Sequence, residues 1–333
     1  MSDNPATRQD YSALDPHLVL DAIDARGLLT SGHILALNSY ENRVYRIGLE
    51  NDTPVIAKFY RPLRWSDDAI REEHAFSLAL QAAEIPVVAP LVDAHGETLH
   101  RHAGYRYALF PLQAGRWPDL DDPDDLLRIG RFIGRLHMLG RADRFTHRPA
   151  IDIARMGDDS VSLLLEQGFI PADLRAAYES TAADLLAGIR ARFTDAGDYR
   201  AIRLHGDCHR GNILWHDEQP WFVDLDDCLN GPAIQDLWMM LAGERRDMTA
   251  QLSELLEGYA AFASFDTREL QLIEALRALR MLYYAAWLAR RWNDPAFPLA
   301  FPWFNTQQYW ENHVLELREQ LYKVNEETIR LGP

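Results

Sequence analysis

The sequence contains little cysteine, no long apolar run and few positive charges. Only Cys208 and Cys228 occur among 333 residues, which predicts reduced, packed thiols in a reducing compartment, with a redox-sensing pair as the alternative. The apolar runs are short or interrupted by charge, so we expect no transmembrane helix and no membrane partner. Lysine and arginine number 34 against 50 acids, for a net charge of −16. This charge argues against nucleic acid as a partner, because phosphate backbones require a basic face.

The N-terminal residues 1–12 are polar and lack the apolar core of a secretory signal. We therefore expect a disordered tail there and a cytoplasmic protein. A hydrophobic content of 47% and a charged content of 25% are ordinary for a soluble globular protein. A length of 333 residues is enough for two lobes with separate cores.

Residue periodicity predicts a sheet with one long helix in the first third of the chain. Asp15 and Pro16 predict a helix start, as N-cap and first helical residue. Residues 67–83 have helical spacing of apolar positions. Strand patterns cover 34–37, 43–47, 55–60 and 105–110, and 84–91 leads into a further strand with its hairpin turn at 95–97.

The remaining two thirds of the chain predict mostly helices. Pro111 and Gly115 break the strand pattern, which places a connection between lobes at this point. Amphipathic spacing predicts helices at 126–139, 268–292 and 307–324, and residues 141–200 form a mostly helical insert. We expect an N-terminal lobe of residues 1–111 and a C-terminal lobe of residues 112–333.

The most informative stretch runs from Leu204 to Trp215 and continues from Phe222 to Asp227. Asp207 and Asn212 are five residues apart, and an apolar segment leads to Asp224, twelve residues after Asn212. This is the layout of a kinase catalytic loop followed by a magnesium-binding acid. Phosphoryl transfer requires a carboxylate that accepts the hydroxyl proton, which suits Asp207. It also requires oxygen ligands for magnesium, which suits Asn212 and Asp224.

Lys58 lies in the strand segment Val-Ile-Ala-Lys, a close relative of the signature of the lysine that binds ATP phosphates in kinases. An unpaired ammonium would be costly to bury in this apolar segment. The negative charges of ATP phosphates and of a helix glutamate would compensate this cost of burial. Glu73 lies on the apolar stripe of Ile70 and Phe76 and is our choice, with Glu72 as the alternative.

The segments His-Gly-Asp and Val-Asp-Leu-Asp-Asp resemble the aminoglycoside phosphotransferase and choline kinase branch of the kinase-like fold. The amino-acid sequence of residues 204–215, 222–227 and 230–238 is similar to that of bacterial serine/threonine protein kinases of stress responses in that branch. The likeness covers nearly the whole chain. It implies an α+β, two-lobed protein-kinase-like fold with an N-terminal antiparallel sheet plus helix and a larger, mostly helical C-terminal lobe.

The resemblance also implies further site residues. Ser39 stands in a glycine-free turn where kinases place the loop that covers the ATP phosphates, and backbone groups near Phe110 and Leu112 would bind adenine. Asp236 would bond the backbone of the catalytic loop, although a helix cap is its default role. The insert 141–200 is assigned to substrate binding.

We therefore expect an ATP- and magnesium-dependent kinase that phosphorylates serine or threonine of a protein substrate in a bacterial stress response. A kinase for a small alcohol such as homoserine, choline or an aminoglycoside is the alternative, because Asp224 and Asp236 are too close for a long activation loop. A metallohydrolase using His205, Asp207 and His209 and a non-catalytic scaffold are rival classes. Asp226 would serve a second ion, or else a surface or hinge role.

Overall fold

Residues 10–331 are described in a computed structural model of the chain. The contacts divide the chain into two compact units. The sheet unit contains the described residues up to Asp119, together with Phe145–Arg148 and His209–Cys228. The helical unit contains Leu120–Arg144, Pro149–Cys208 and the described residues from Leu229 onward.

The helices and strands follow one another along the chain in a mixed order. Up to residue 140 they are α1 Pro16–Asp24, β1 Thr30–Ala36, β2 Arg43–Leu49, β3 Val55–Phe59, α2 Asp67–Ala82, β4 His100–His102, β5 Tyr105–Pro111 and α3 Pro123–Gly140. The rest are α4 Asp159–Glu166, α5 Arg175–Ala196, β6 Ile202–Leu204, β7 Ile213–His216, β8 Gln219–Phe222, β9 Leu229–Gly231, α6 Gln235–Trp238, α7 Arg245–Ala260, α8 Ile273–Arg290, α9 Ala296–Ala300 and α10 Gln307–Asn325.

The sheet unit is built on an antiparallel sheet in the order β1-β2-β3-β5-β4. Strand β3 lies at its centre, and Lys58 of β3 pairs with Val44 on one side and Ala108 on the other. Alternating side chains of the sheet, among them Phe59 and Tyr107, form a core with α1. The strand segments are rich in β-branched and aromatic residues, which favour a pleated, buried surface.

Helices α1 and α2 begin as the sequence predicts. The Asp15 carboxylate accepts the Leu18 backbone N–H at 2.9 Å, and Pro16 is the first helical residue. The Ser66 hydroxyl accepts the Ala69 N–H at 3.1 Å and caps α2. Both caps satisfy N–H groups that a helix leaves unpaired at its first turn.

Two details of the N-terminal prediction are wrong. The hairpin turn of the fourth and fifth strands lies at residues 103–104, between the short β4 and β5, whereas 93–97 forms a separate turn. Residues 1–9 of the predicted disordered tail 1–12 lie outside the described residues. Its Tyr11 is ordered: the ring stacks on Tyr105 at 6.3 Å, and the hydroxyl donates to the Phe59 carbonyl at 2.9 Å.

The helical unit is dominated by long helices around α8, whose inward residues such as Leu279 and Leu282 are fully buried. The predicted helix 268–292 begins as a 3-10 helix, Thr267–Leu272, and continues as α8. The stretch 141–200 is not one insert, because Phe145–Arg148 belongs to the sheet unit. In the part of the chain that the structure describes, no helix combines the length and apolarity needed to cross a membrane.

Candidate active site

Strand β3 brings Lys58 into a group of three carboxylates. Its Nζ lies 2.9 Å from Asp224 Oδ1 and 3.4 Å from both Glu73 Oε1 and Asp226 Oδ1. Only 7% of the Lys58 side chain is exposed. Burial by itself would lower the pKa of Lys58, but the carboxylates of Asp224, Asp226 and Glu73 raise it well above its usual value. Lys58 is therefore a charged ammonium held in the interior by acids.

Glu73 is the glutamate of α2 that contacts Lys58. Its second oxygen, Oε2, accepts a hydrogen bond of 2.7 Å from Arg148 Nη2. The Glu73 and Arg148 side chains are both buried. Two cations thus share one carboxylate, which offsets part of the cost of burying its charge.

The neighbouring Glu72 has a different set of partners. Its carboxylate accepts the backbone N–H groups of Thr146 and His147 at 2.7 Å and of Arg148 at 2.9 Å. Glu72 therefore anchors residues 145–148 to α2, and the structure gives Lys58 the partner Glu73 rather than Glu72.

Arg148 connects α2 to the turn that contains Asp224 and Asp226. Its Nε donates to the Ala69 carbonyl at 2.7 Å, and its Nη1 donates to the Asp226 carbonyl at 2.6 Å. The guanidinium also lies 4.4 Å from the centre of the Trp65 ring. A single buried side chain therefore fixes the position of the helix glutamate relative to the turn.

Asp224 occupies a strained position at the start of that turn. Its φ of 59° and ψ of 64° are left-handed values that a residue other than glycine seldom adopts. Its side chain is 55% exposed although Lys58 contacts it. Such strain persists where surrounding structure over-determines the backbone, and it is common at functional sites.

Asp226 is buried and bound on several sides. It accepts a hydrogen bond from Asn42 Nδ2 at 2.9 Å and forms an ion pair with Arg64. Burial would raise the pKa of Asp226, but Arg64, Lys58 and Arg148 together with the Asn42 bond hold it well below its usual range. Asp226 is an internal counter-ion, so the alternative of a surface role is wrong.

Asn212 lies in a short 3-10 helix before β7. Its N–H donates to the His209 carbonyl at 2.8 Å, and its carbonyl accepts the Val223 N–H at 3.0 Å. The second bond places the Asn212 backbone next to the residue that precedes Asp224. The β7–β8 hairpin, in which Ile213 pairs with Phe222, supports this arrangement.

The donor atoms of Asn212 and Asp224 fit a magnesium ion. Both side chains supply oxygen, and magnesium in phosphoryl-transfer sites is held by one or two carboxylates together with phosphate oxygens. Across residues 10–331, no three side chains of His, Cys, Asp or Glu form a metal-binding group. The histidines of the metallohydrolase alternative therefore do not assemble into such a group.

In the helical unit, Asp236 holds the backbone that precedes Asp207. Its two oxygens accept the N–H groups of His205 and Gly206, each at 2.8 Å. His137 Nε2 lies 3.0 Å from the same carboxylate. Gly206 has φ of 85°, a left-handed value suited to glycine. Asp236 thus performs the role that the resemblance implies.

Comparisons with known proteins identify the family of this chain. Residues 33–273 match the phosphotransferase enzyme family. The chain belongs to that family. This phosphotransferase is 44% identical to the serine/threonine protein kinase RdoA of Salmonella typhimurium over 333 residues, with 100% of this chain and 99% of that protein covered. It is 43% identical to stress response kinase A of Escherichia coli K12 over 323 residues, 97% of each chain.

Solved structures of similar fold include two small-molecule kinases. The amicoumacin kinase hAmiN has a TM-score of 0.72 at 18% identity, with 93% of this phosphotransferase and 94% of that chain covered. A microcompartment-associated aminopropanol kinase has a TM-score of 0.66 at 17% identity, covering 94% and 100%. At such identities the likeness concerns the fold alone. The α+β, protein-kinase-like fold predicted from sequence is confirmed.

The remaining predicted residues of this phosphotransferase lie in the sheet unit. The Ser39 hydroxyl donates to the Asn42 carbonyl at 3.2 Å and so closes the turn between β1 and β2. The Phe110 ring lies 6.0 Å from Lys58 Nζ, and Leu112 is exposed just after β5. Their proposed contacts with phosphate and adenine stay predictions.

Sequence reasoning missed the cations that hold the acids of this phosphotransferase. Arg64 and Arg148 contact Asp226 and Glu73, and Arg280 of α8 lies 2.6 Å from Asp207. No motif or apolar periodicity marks these arginines, because their partners are 73 or more residues away along the chain.

Both cysteines are buried and free. Burial raises the pKa of the Cys208 thiol well above its usual value, and the Asp236 and Asp207 carboxylates raise it further. Burial also raises the pKa of Cys228, against the opposing charge of Arg148. Because the thiolate is the reactive form, these raised pKa values disfavour reaction of either thiol. Both thiols are packed in the interior, as the sequence predicts.

Proposed function

We propose that this phosphotransferase is a cytoplasmic, ATP- and magnesium-dependent kinase that phosphorylates serine or threonine hydroxyls of a protein in a bacterial stress response. The observation that carries the proposal is the charged Lys58, held between Glu73 and Asp224 in the sheet unit. This is the ion-pair arrangement that kinases require for binding ATP phosphates. The full-length identity of 44% to a protein named as a serine/threonine protein kinase supports a protein acceptor.

The proposed reaction assigns one task to each side chain. The acceptor oxygen forms a bond to the γ-phosphorus, and the bond from that phosphorus to the β–γ bridging oxygen breaks, with its electron pair leaving on ADP. Asp207 takes the hydroxyl proton. Lys58 binds phosphate oxygens, and Asn212 with Asp224 would hold magnesium, which neutralises phosphate charge when bound. The buried, free thiols agree with a reducing compartment.

A small alcohol is the second candidate acceptor. Only eleven residues separate Asp224 from Asp236, and they contain a 3-10 turn and β9 rather than a long loop that phosphorylation could switch. The solved kinases of similar fold are named for amicoumacin and aminopropanol. Either acceptor class would use the same Asp207, Asn212 and Asp224.

Transfer of the γ-phosphate from labelled Mg-ATP tests the proposal. The reaction offers a basic test protein, the enzyme itself and a panel of small alcohols, with Asp207→Ala as the control variant. We expect label on protein serine or threonine, loss of transfer in Asp207→Ala, and ATP binding within about three-fold of wild type, because Asp207 acts on the acceptor.

Two results would contradict parts of this proposal. Label on a small alcohol alone would replace the acceptor class and keep the site. An equal loss of ATP binding and transfer in Asp207→Ala would reject the role given to Asp207.

A further inference from the structure

Helix α8 places Arg280 against the carboxylate of Asp207. Arg280 Nη1 lies 2.6 Å from Asp207 Oδ1, a contact between positions 73 residues apart. Leu279 and Leu282, on either side of Arg280, are fully buried. Core packing therefore fixes the backbone from which Arg280 extends. A charge-assisted hydrogen bond of this length is among the stronger polar contacts in proteins.

This ion pair contributes little to folding. Its side chains are 44% exposed for Arg280 and 21% exposed for Asp207. Ion pairs with such exposure contribute little to protein stability, because water screens them and ordering two side chains costs entropy. The main effect of Arg280 therefore falls on the position and charge of the Asp207 carboxylate.

Two separate contacts hold the catalytic segment in the helical unit. Asp236 fixes the backbone at His205 and Gly206, immediately before Asp207. Arg280 contacts the Asp207 side chain itself. A proton acceptor must be both ionised and correctly oriented, and a misplacement of about 1 Å can reduce a rate by about 100-fold.

We propose that Arg280 is a positioning residue for phosphoryl transfer, which keeps the Asp207 carboxylate ionised and directed at the acceptor hydroxyl. This inference rests on the proposed function, in which Asp207 receives the proton released as the acceptor oxygen bonds to the γ-phosphorus and ADP leaves. Arg280 gains no proton and forms no bond to phosphorus in this step.

Three variants test the role of Arg280. Arg280→Gln removes the charge, and Arg280→Lys keeps the charge but loses the planar fork that suits a carboxylate. Arg277→Gln is the matched control, since it removes the same charge one turn earlier on α8, where Arg277 Nε pairs with Glu274 at 3.2 Å. The measurements are kcat, KM for Mg-ATP, KM for the acceptor that wild type labels, and the pH profile of kcat/KM.

We expect Arg280→Gln to lower kcat by about 10- to 100-fold, with KM for Mg-ATP within about two-fold. The acidic limb of its pH profile moves to higher pH, because the carboxylate loses a cation that favours the ionised form. Compared with Arg280→Gln, we expect Arg280→Lys to have a higher kcat and an acidic limb closer to that of wild type. Arg277→Gln retains the wild-type limb and kcat. Melting temperatures of all three variants stay close to wild type.

Each contrary result identifies what has failed. If Arg280→Gln matches Arg277→Gln in kcat and in the acidic limb, the positioning role is rejected while the kinase activity of wild type stands. If only KM for the acceptor rises, Arg280 binds the acceptor and does not position Asp207. If wild type labels no acceptor at all, the proposed function fails, and the inference about Arg280 fails with it.

Discussion

At the scale of single residues, two adjacent glutamates have different tasks. Glu73 lies between Lys58 and Arg148, whereas Glu72 accepts three backbone N–H groups of residues 146–148. One acid sets the charge around the lysine, and the other attaches a chain segment to α2. Their side chains are chemically identical, so their surroundings alone distinguish them.

Replacing each glutamate by glutamine separates these tasks. In Glu73→Gln, buried Arg148 loses its carboxylate partner, and removing one member of a buried pair costs about 3 kcal/mol. We expect kcat/KM for Mg-ATP to fall about 10-fold or more, because Lys58 loses one of the acids that position it. Steady-state kinetics and denaturant unfolding measure both effects.

Glu72→Gln is the matched control, since it makes the same chemical change one residue earlier. Its amide oxygen can still accept N–H groups, so we expect kcat/KM within about three-fold of wild type and a stability loss of about 1–2 kcal/mol. A loss of activity in Glu72→Gln as large as that in Glu73→Gln would reject the assignment.

At the scale of elements, α3 and α7 cross with almost no space between their backbones. A Cβ atom added to Gly130 would lie 2.0 Å from the Leu255 carbonyl oxygen, and one added to Gly258 would lie 2.0 Å from that of Leu127. The missing side chains allow this approach from both helices. The sequence predicts the amphipathic helix α3 but not α7, and it does not show that the glycines of the two helices meet.

Gly130→Ala should therefore destabilise the protein strongly. The new methyl would force the two helices apart, and overpacking of a tight core costs about 3 kcal/mol. Gly188→Ala is the control: its Cβ would meet the Val324 side chain at 3.0 Å. That side chain can move, and alanine favours a helix by up to about 1 kcal/mol.

Denaturant midpoints measure both glycine variants. We expect a large downward shift for Gly130→Ala and a change within about 1 kcal/mol for Gly188→Ala, given these opposing effects. Equal shifts in the two variants would show that the close crossing of α3 and α7 does not matter for stability.

At the scale of the whole molecule, the sheet unit is assembled from distant parts of the chain. Phe145 packs edge-on against Phe76 with ring centres 5.3 Å apart. Phe222, at the end of β8, exchanges backbone hydrogen bonds with Pro86 and Val88 at 2.8 Å and 3.0 Å. Phe145 and Phe222 are therefore part of the packing of the sheet unit, together with the N-terminal strands.

A fragment of residues 1–119 should not fold cooperatively by itself. It lacks Arg148, Asp224 and Asp226, and therefore leaves Lys58 and Glu73 buried without several of their partners. We expect no cooperative thermal transition and weak near-ultraviolet circular dichroism, whereas the full chain shows both. A sharp transition in the fragment would show that the N-terminal stretch is sufficient.

Local patterns determined much of this protein. The N-cap of α1, the start of α2, the strand with Lys58 and the spacing of Asp207, Asn212 and Asp224 follow from residue order, because caps, periodicity and loop motifs act over a few neighbouring positions. The kinase-like fold was implied by the resemblance of residues 204–215, 222–227 and 230–238 to known kinases. The choice of Glu73 also followed, since its helical stripe faces inward.

Only the tertiary structure decided which charges meet. Arg148 reaches Glu73 across 75 residues, Arg64 reaches Asp226 across 162, and Arg280 reaches Asp207 across 73. No local pattern encodes such pairs, because the folding of the intervening chain brings them together. For the buried groups, such as Arg148 and Glu73, burial then requires that each charge find a partner. The order of residues therefore set the acids of the candidate site, and the packing of each unit selected the arginines that hold them.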